Sequence, residues 1–177
     1  MAIDADRFRL SEAQHQDIFE RRIAPVVLAS AQPDPSPTAI VFGGQPGAGK
    51  SPAIDSAARS HPSPRGLVQI LGDDLRAFHP RYAELMATDD RTAAAYTDRD
   101  AGGWVEKLIA SARERRLNLI IEGTMRRPEV VEATLGGLRD AGYRTEARVL
   151  AIPPELSWLG VLQRYEGSSQ KTENKAR

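Results

Sequence analysis

The sequence predicts an α/β fold, a parallel sheet with helices on both faces. Three observations carry this. Four short apolar runs, at 39–42, 67–71, 117–121 and 146–152, each give way to a stretch with helical periodicity or propensity. The first run empties into a glycine-rich turn, Gly44-Gln45-Pro46-Gly47-Ala48-Gly49-Lys50-Ser51, that opens a helix. A chain of 177 residues is one domain's worth and can bury a core. Alternation of this kind calls for right-handed crossovers between parallel strands.

The elements follow in order. Ser11 to Ser30 reads as a helix, opened by a capping box at Ser11-Glu12-Ala13-Gln14, with an apolar face of Ile18, Phe19, Ile23, Val26 and Val27 and a bend expected at Pro25. Gln32 to Thr38 is a stiff, proline-rich connector. Ala39 to Phe42 is the first strand, and Lys50 to Ser60 the helix after the glycine-rich turn, with Pro52 tolerable in a first turn whose N–H groups are unpaired anyway. Leu67 to Leu71 is the second strand, closing on Gly72-Asp73-Asp74. Leu75 to Met86 is a short helix broken at His79-Pro80, and Asp89 to Arg116 is mostly helical, most clearly around Trp104, Val105, Leu108, Ile109 and Ala112. Leu117 to Ile121 is the third strand and delivers Glu122-Gly123-Thr124. Pro128 to Asp140 is a helix stopped at Gly142, Glu146 to Ile152 the fourth strand, and Pro153-Pro154 opens a helix through Glu166. Three parts result: residues 1–38, a helix and connector packed on the core; 39–166, the α/β unit; and 167–177, a flexible polar tail.

The eight residues from Gly44 to Ser51 fit G-x-x-x-x-G-K-[ST], the phosphate loop of ATP-binding proteins. Its glycines let successive N–H groups point at phosphate oxygens, and the following helix adds its positive end. Lys50 would reach the β- and γ-phosphates, and the Ser51 hydroxyl would ligate Mg²⁺. Asp73 and Glu122 end strands at the sheet's carboxyl edge, where open α/β sheets bind ligands. Asp73 has two readings, a base facing the nucleotide or a cap on the next helix, and the cap suits Asp74 better. Glu122 has three: Mg²⁺ through water, the acceptor, or a plain strand-end carboxylate.

Composition narrows the partners. Lys and Arg number 24, as do Asp and Glu, so no global charge favours nucleic acid or a membrane surface. A small acceptor fits better. The chain has no cysteine, no signal-peptide pattern and no apolar run near the ~20 residues that span a bilayer, which points to a soluble cytoplasmic protein. His79, one of three histidines without metal-ligand spacing, reads as a structural hydrogen-bonding group, and Trp158 and Tyr165 read as core.

With these pieces placed, the chain resembles the zeta toxin family of P-loop kinases. The resemblance rests on GGQPGAGKS (Gly43 to Ser51), D-x-x-x-x-x-H-P (Asp73 to Pro80), IEGT (Ile121 to Thr124) and L-G-x-x-x-R-Y-E (Leu159 to Glu166), and covers Ala39 to Glu166. It implies a three-layer fold like that of small-molecule kinases, use of ATP and Mg²⁺, phosphorylation of UDP-N-acetylglucosamine on the sugar 3′-hydroxyl, and an antitoxin partner. It also implies roles: Asp73 as the base on the acceptor hydroxyl, Glu106, Glu122, Thr124 and Arg126 on the acceptor side, and Arg164 as a cation on the triphosphate. On residue type alone, Glu106, Arg126 and Arg164 would be surface charges, and Thr124 could simply begin a turn. The family's second lid arginine has no counterpart in GSSQKTENKAR, residues 167–177. Such an arginine can be worth on the order of 10³–10⁵ in rate, or ~4–7 kcal/mol, so impaired turnover is expected. Two alternatives keep the fold: another acceptor (antibiotic, nucleoside or nucleic-acid end), or an ATP-binding module with little catalysis.

Overall fold

The structure, a computed structural model, describes residues 4–63, 66–123, 125 and 127–173, without the side chains of 164–173. Its centre is a four-stranded sheet in the order β2-β3-β1-β4, every pairing parallel. β1 (Thr38–Gly44) is buried along nearly its whole length between β3 (Asn118–Glu122) and β4 (Arg144–Leu150), and β2 (Leu67–Leu71) lies outside β3. Successive side chains on a strand face opposite sides, so the sheet divides the core into two layers. Ile40, Phe42 and Ile120 pack on Ile54 and Ala57 of α3 (Lys50–Ser60). On the other face Val41, Ile70, Leu119 and Ile121 join a larger cluster with Trp104, Leu108 and Ala112 of α6 (Asp90–Glu114), Leu138 of α7 (Pro128–Asp140), and Ile18, Phe19 and Ile23 from the N-terminal segment. The expected α/β/α layering is what the chain forms.

Register decides where the chemistry falls. Phe42 of β1 stands beside Glu122 of β3, which stands beside Leu71 of β2. β2 and β3 therefore end level with each other, β1 runs two residues further to Gly44, and the phosphate loop, Gly72-Asp73 and Glu122 leave the same edge of the sheet.

Several boundaries differ from expectation. The N-terminal helix is α1 (Glu12–Ile18), then a π-helical turn over Phe19–Ile23, then α2 (Ala24–Val27), ending short of Ser30. The capping box forms as expected. The wider turn sits immediately ahead of Pro25, whose missing N–H and bulky ring disturb the helical ladder. The break at His79-Pro80 separates α4 (Gly72–Leu75) and a 3₁₀ turn (Arg76–Phe78) from α5 (Tyr82–Thr88). β4 stops at Leu150 rather than Ile152, because the Ile152 carbonyl accepts the Gln45 side chain and Pro153 cannot donate to a ladder. α8 (Pro154–Glu173) runs past Glu166 into the stretch expected to be a flexible tail, since one glycine costs a helix only about 1 kcal/mol. Trp158 is not core: it is 66% exposed on α8. His79 is buried with its Nε2 3.1 Å from the Phe8 carbonyl, the structural bond expected of it. Among the described residues no helix is long and apolar enough to cross a membrane.

Candidate active site

The phosphate loop joins β1 to α3 with little freedom. Gly49 caps α3 at φ 82°, a left-handed conformation that glycine adopts without cost. Gly47, at φ 77°, lies so close to the Ser157 carbonyl of α8 that a Cβ has no room. Within the loop the Ala48 N–H donates to the Gln45 carbonyl at 3.2 Å, and Ser157 Oγ donates to the Pro46 carbonyl at 2.6 Å. Ser51 lies in the exposed first turn of α3. Pro52, third in the helix, needs no N–H partner there.

Lys50 turns back over the loop. Its Nζ donates to the carbonyls of Gly44 (3.0 Å) and Gln45 (3.1 Å) and stands 3.6 Å from Glu122 Oε1. The two side chains are only 12% and 21% exposed, so their attraction is poorly screened. Lys50 is thus an ammonium held in the mouth of the loop by oxygens that an anion could replace.

Asp73 opens off the end of β2. Leu71 stands at the N-cap of α4 and no side chain caps that helix there, so the capping reading fails for both Asp73 and Asp74. Instead, Arg76 Nε donates to Asp73 Oδ1 at 3.1 Å. Burial works against the Arg76 charge, but its bonds to Asp98 and Asp73 more than offset this and hold its pKa above the ordinary value. Neither Arg76 nor Asp98 stands out in the sequence, although the D-x-x-R spacing of Asp73 and Arg76 was there to suggest a pair on one helical turn.

A cavity of about 260 Å³ is lined by Pro46, Lys50, Asp73, Arg76, Asp98 and Glu122. A second, of about 320 Å³, shares Val105 and Glu122 with it and adds Glu106, Ile109, Met125 and Val130. Lys50, Asp73, Glu122 and Glu106 are thereby gathered on two adjoining cavities at the sheet's carboxyl edge. Thr124 and Arg126 lie outside the described residues, as does the side chain of Arg164. Chemically, the place offers a cation at a helix N-terminus, one carboxylate at the end of β3 and another just past the end of β2, and an apolar annex.

The family model described as "Zeta toxin" matches residues 26–177. Toxin PezT of Streptococcus pneumoniae is 38% identical over 130 residues, 73% of this chain and 51% of that protein. Toxin zeta of Streptococcus agalactiae is 32% identical over 156 residues, 88% of this chain and 53% of the relative. A chain from the solved PezAT chromosomal toxin-antitoxin system of S. pneumoniae superposes with a TM-score of 0.79 at 31% identity, over 93% of this chain and 66% of that one. This chain spans about half the length of the curated relatives it matches.

Proposed function

Because the chain belongs to the zeta toxin family, we propose that it is an ATP-dependent kinase that phosphorylates a small-molecule hydroxyl, with the sugar 3′-hydroxyl of UDP-N-acetylglucosamine as acceptor. The observation that carries this reading is the single cavity on which the loop lysine, Asp73 and Glu122 meet. Phosphoryl transfer asks a protein mainly to clamp and neutralise the phosphates and to align an acceptor. Lys50 and the amides at the start of α3 serve the first need, and Asp73 the second.

The transfer balances as follows. The acceptor oxygen bonds to the γ-phosphorus of ATP as the bond to the β–γ bridging oxygen breaks, and ADP leaves. Asp73 takes the hydroxyl proton. Glu122 and Glu106 hydrogen-bond acceptor hydroxyls in the adjoining cavity; by the family resemblance Thr124 and Arg126 take acceptor-side roles and Arg164 supplies a further cation to the triphosphate. The donors present suit Mg²⁺, which favours oxygen ligands and is usually held by one or two side chains together with substrate phosphates. Ser51 would hold it together with substrate phosphates, and the ion would supply neutralisation of phosphate charge.

In this reading the protein is a cytoplasmic toxin silenced by an antitoxin; its structural relative from S. pneumoniae belongs to a toxin-antitoxin system. The test is mass spectrometry of UDP-N-acetylglucosamine incubated with Mg-ATP and wild type, Lys50→Ala or Asp73→Ala. Phosphorylated product from wild type alone supports the reading. Absence of product from wild type that still binds ATP refutes this acceptor.

A further inference from the structure

We infer that Arg76 is a positioning residue for Asp73, anchored by α6 so that the carboxylate meets the acceptor in one orientation; this rests on the kinase reading above. The side chain of Asp73 is 77% exposed, and an exposed carboxylate ordinarily samples several rotamers. A base serves only while it points at its proton. Arg76 is the opposite: its side chain is 15% exposed and every arm of its guanidinium is engaged. Nη1 donates to the Ala94 carbonyl at 2.7 Å and to Thr97 Oγ1 at 3.3 Å, and Nη2 to Asp98 Oδ1 at 2.7 Å. Those three partners belong to α6, a 25-residue helix packed into the core through Trp104 and Leu108. The remaining arm, Nε, binds Asp73 Oδ1 and leaves Oδ2 unbound by the clamp, on a residue that lines the cavity with Arg76 and Lys50.

The fork is what matters. A planar guanidinium fixes the directions of several bonds at once, whereas a lysine ammonium would supply charge without direction. Asp98, with its carboxylate 75% exposed, serves as the outer anchor. The clamp thus ties the end of β2 to α6 across the mouth of the cavity, and it acts on the reaction only through Asp73.

A double-mutant cycle tests this, using full-length protein, Mg-ATP and UDP-N-acetylglucosamine. Arg76→Gln should lower kcat by roughly 10- to 100-fold, the scale of a misplaced reacting group, with KM for ATP within about twofold of wild type. In an Asp73→Asn background the same change should cost less than about twofold, since residues acting as a unit are not additive. Arg76→Lys, which keeps the charge and covers the case in which Arg76→Gln fails to fold, should recover only part of kcat. Equal losses in both backgrounds, or a loss confined to KM, would overturn the inference. Independently of turnover, the Arg76 Nε–H resonance should move in Asp73→Asn. If wild type phosphorylates nothing, the kinase reading fails, while the clamp is upheld by a resonance that moves and overturned by one that stays.

Discussion

Replacing Lys50 with methionine removes one charge from the loop at nearly constant volume, and its effects on stability and on nucleotide affinity can be set against each other. In the folded protein the ammonium is mostly shielded and makes two bonds to loop carbonyls, with Glu122 3.6 Å away. Losing such a donor costs about 1–3 kcal/mol. At about 2–4 °C per kcal/mol for a domain of this size, Tm should fall by roughly 2–12 °C. A unit charge 4 Å from a phosphate charge contributes about 4 kcal/mol at an effective dielectric near 20. Lys50 must give up its carbonyls to make that contact, so the net is about 1–3 kcal/mol, or roughly 5- to 150-fold in Kd. Isothermal titration of Mg-ATP into wild type and Lys50→Met, alongside thermal unfolding, measures both. A Kd within twofold of wild type, with the expected fall in Tm, would refute the assignment of the loop to phosphate.

Two further outcomes follow from the framework around the site. Trp104 is fully buried, stacks on His15 at 4.9 Å and donates its indole N–H to the His15 carbonyl at 3.0 Å, so Trp104→Ala should cost about 3–5 kcal/mol in urea unfolding; a loss under about 1 kcal/mol would mean that α1 is not held by this residue. Hydrogen bonds from the Asn118 side chain and then the Ser36 N–H hold Asp34 below the ordinary carboxylate value of 3.8, and hydrogen bonding to Lys107 holds Glu12 below 4.5. A pKa depressed by folding contributes stability above the unfolded value that is lost as pH falls through the folded one. The urea midpoint should therefore decline as pH drops below about 4.5, and less steeply in Asp34→Asn; superimposable profiles would exclude the Asp34 contribution.

How much of this was legible depended on what each residue answers to. The bounds of α3, β2 and α7 coincide with those read from the sequence, because a phosphate loop, a turn before charged residues and an initial proline are local signals. The strand-end placement of Asp73 and Glu122 was equally local, and parallel register then brought them to the same sheet edge as the loop. What stayed hidden was non-local. The bonds that fix Arg76 run to residues 18 to 22 positions away on α6, and nothing in the spacing of single residues encodes them. The capping reading of Asp73 and Asp74 failed for a related reason: propensity ranks a residue for a cap but does not fix where the helix starts, and α4 starts at Gly72, which puts both inside its first turn. Trp158 is exposed despite its helical spacing, because spacing marks a side of a helix as apolar but does not say that this side faces the sheet.

α8 is the instructive exception. At 100° per residue, Leu156, Trp158, Leu159 and Leu162 share one side of it, and all four are among the exposed large hydrophobics. The opposite side carries Ser157 and Gly160, and these meet the phosphate loop: a Cβ on Gly160 would come within 2.6 Å of the Gly47 carbonyl. The usual order is inverted, with small residues inward and apolar ones outward. Burial of its four large apolar side chains is not what seats this segment on the loop. Close backbone approach does, helped by the Ser157 and Gln45 hydrogen bonds. Contact of that kind contributes little energy but fixes position sharply, since neither backbone can swing aside as a side chain would. Loop and helix therefore constrain one another through Gly47 and Gly160, and the geometry of the phosphate loop is set from outside the motif that encodes it.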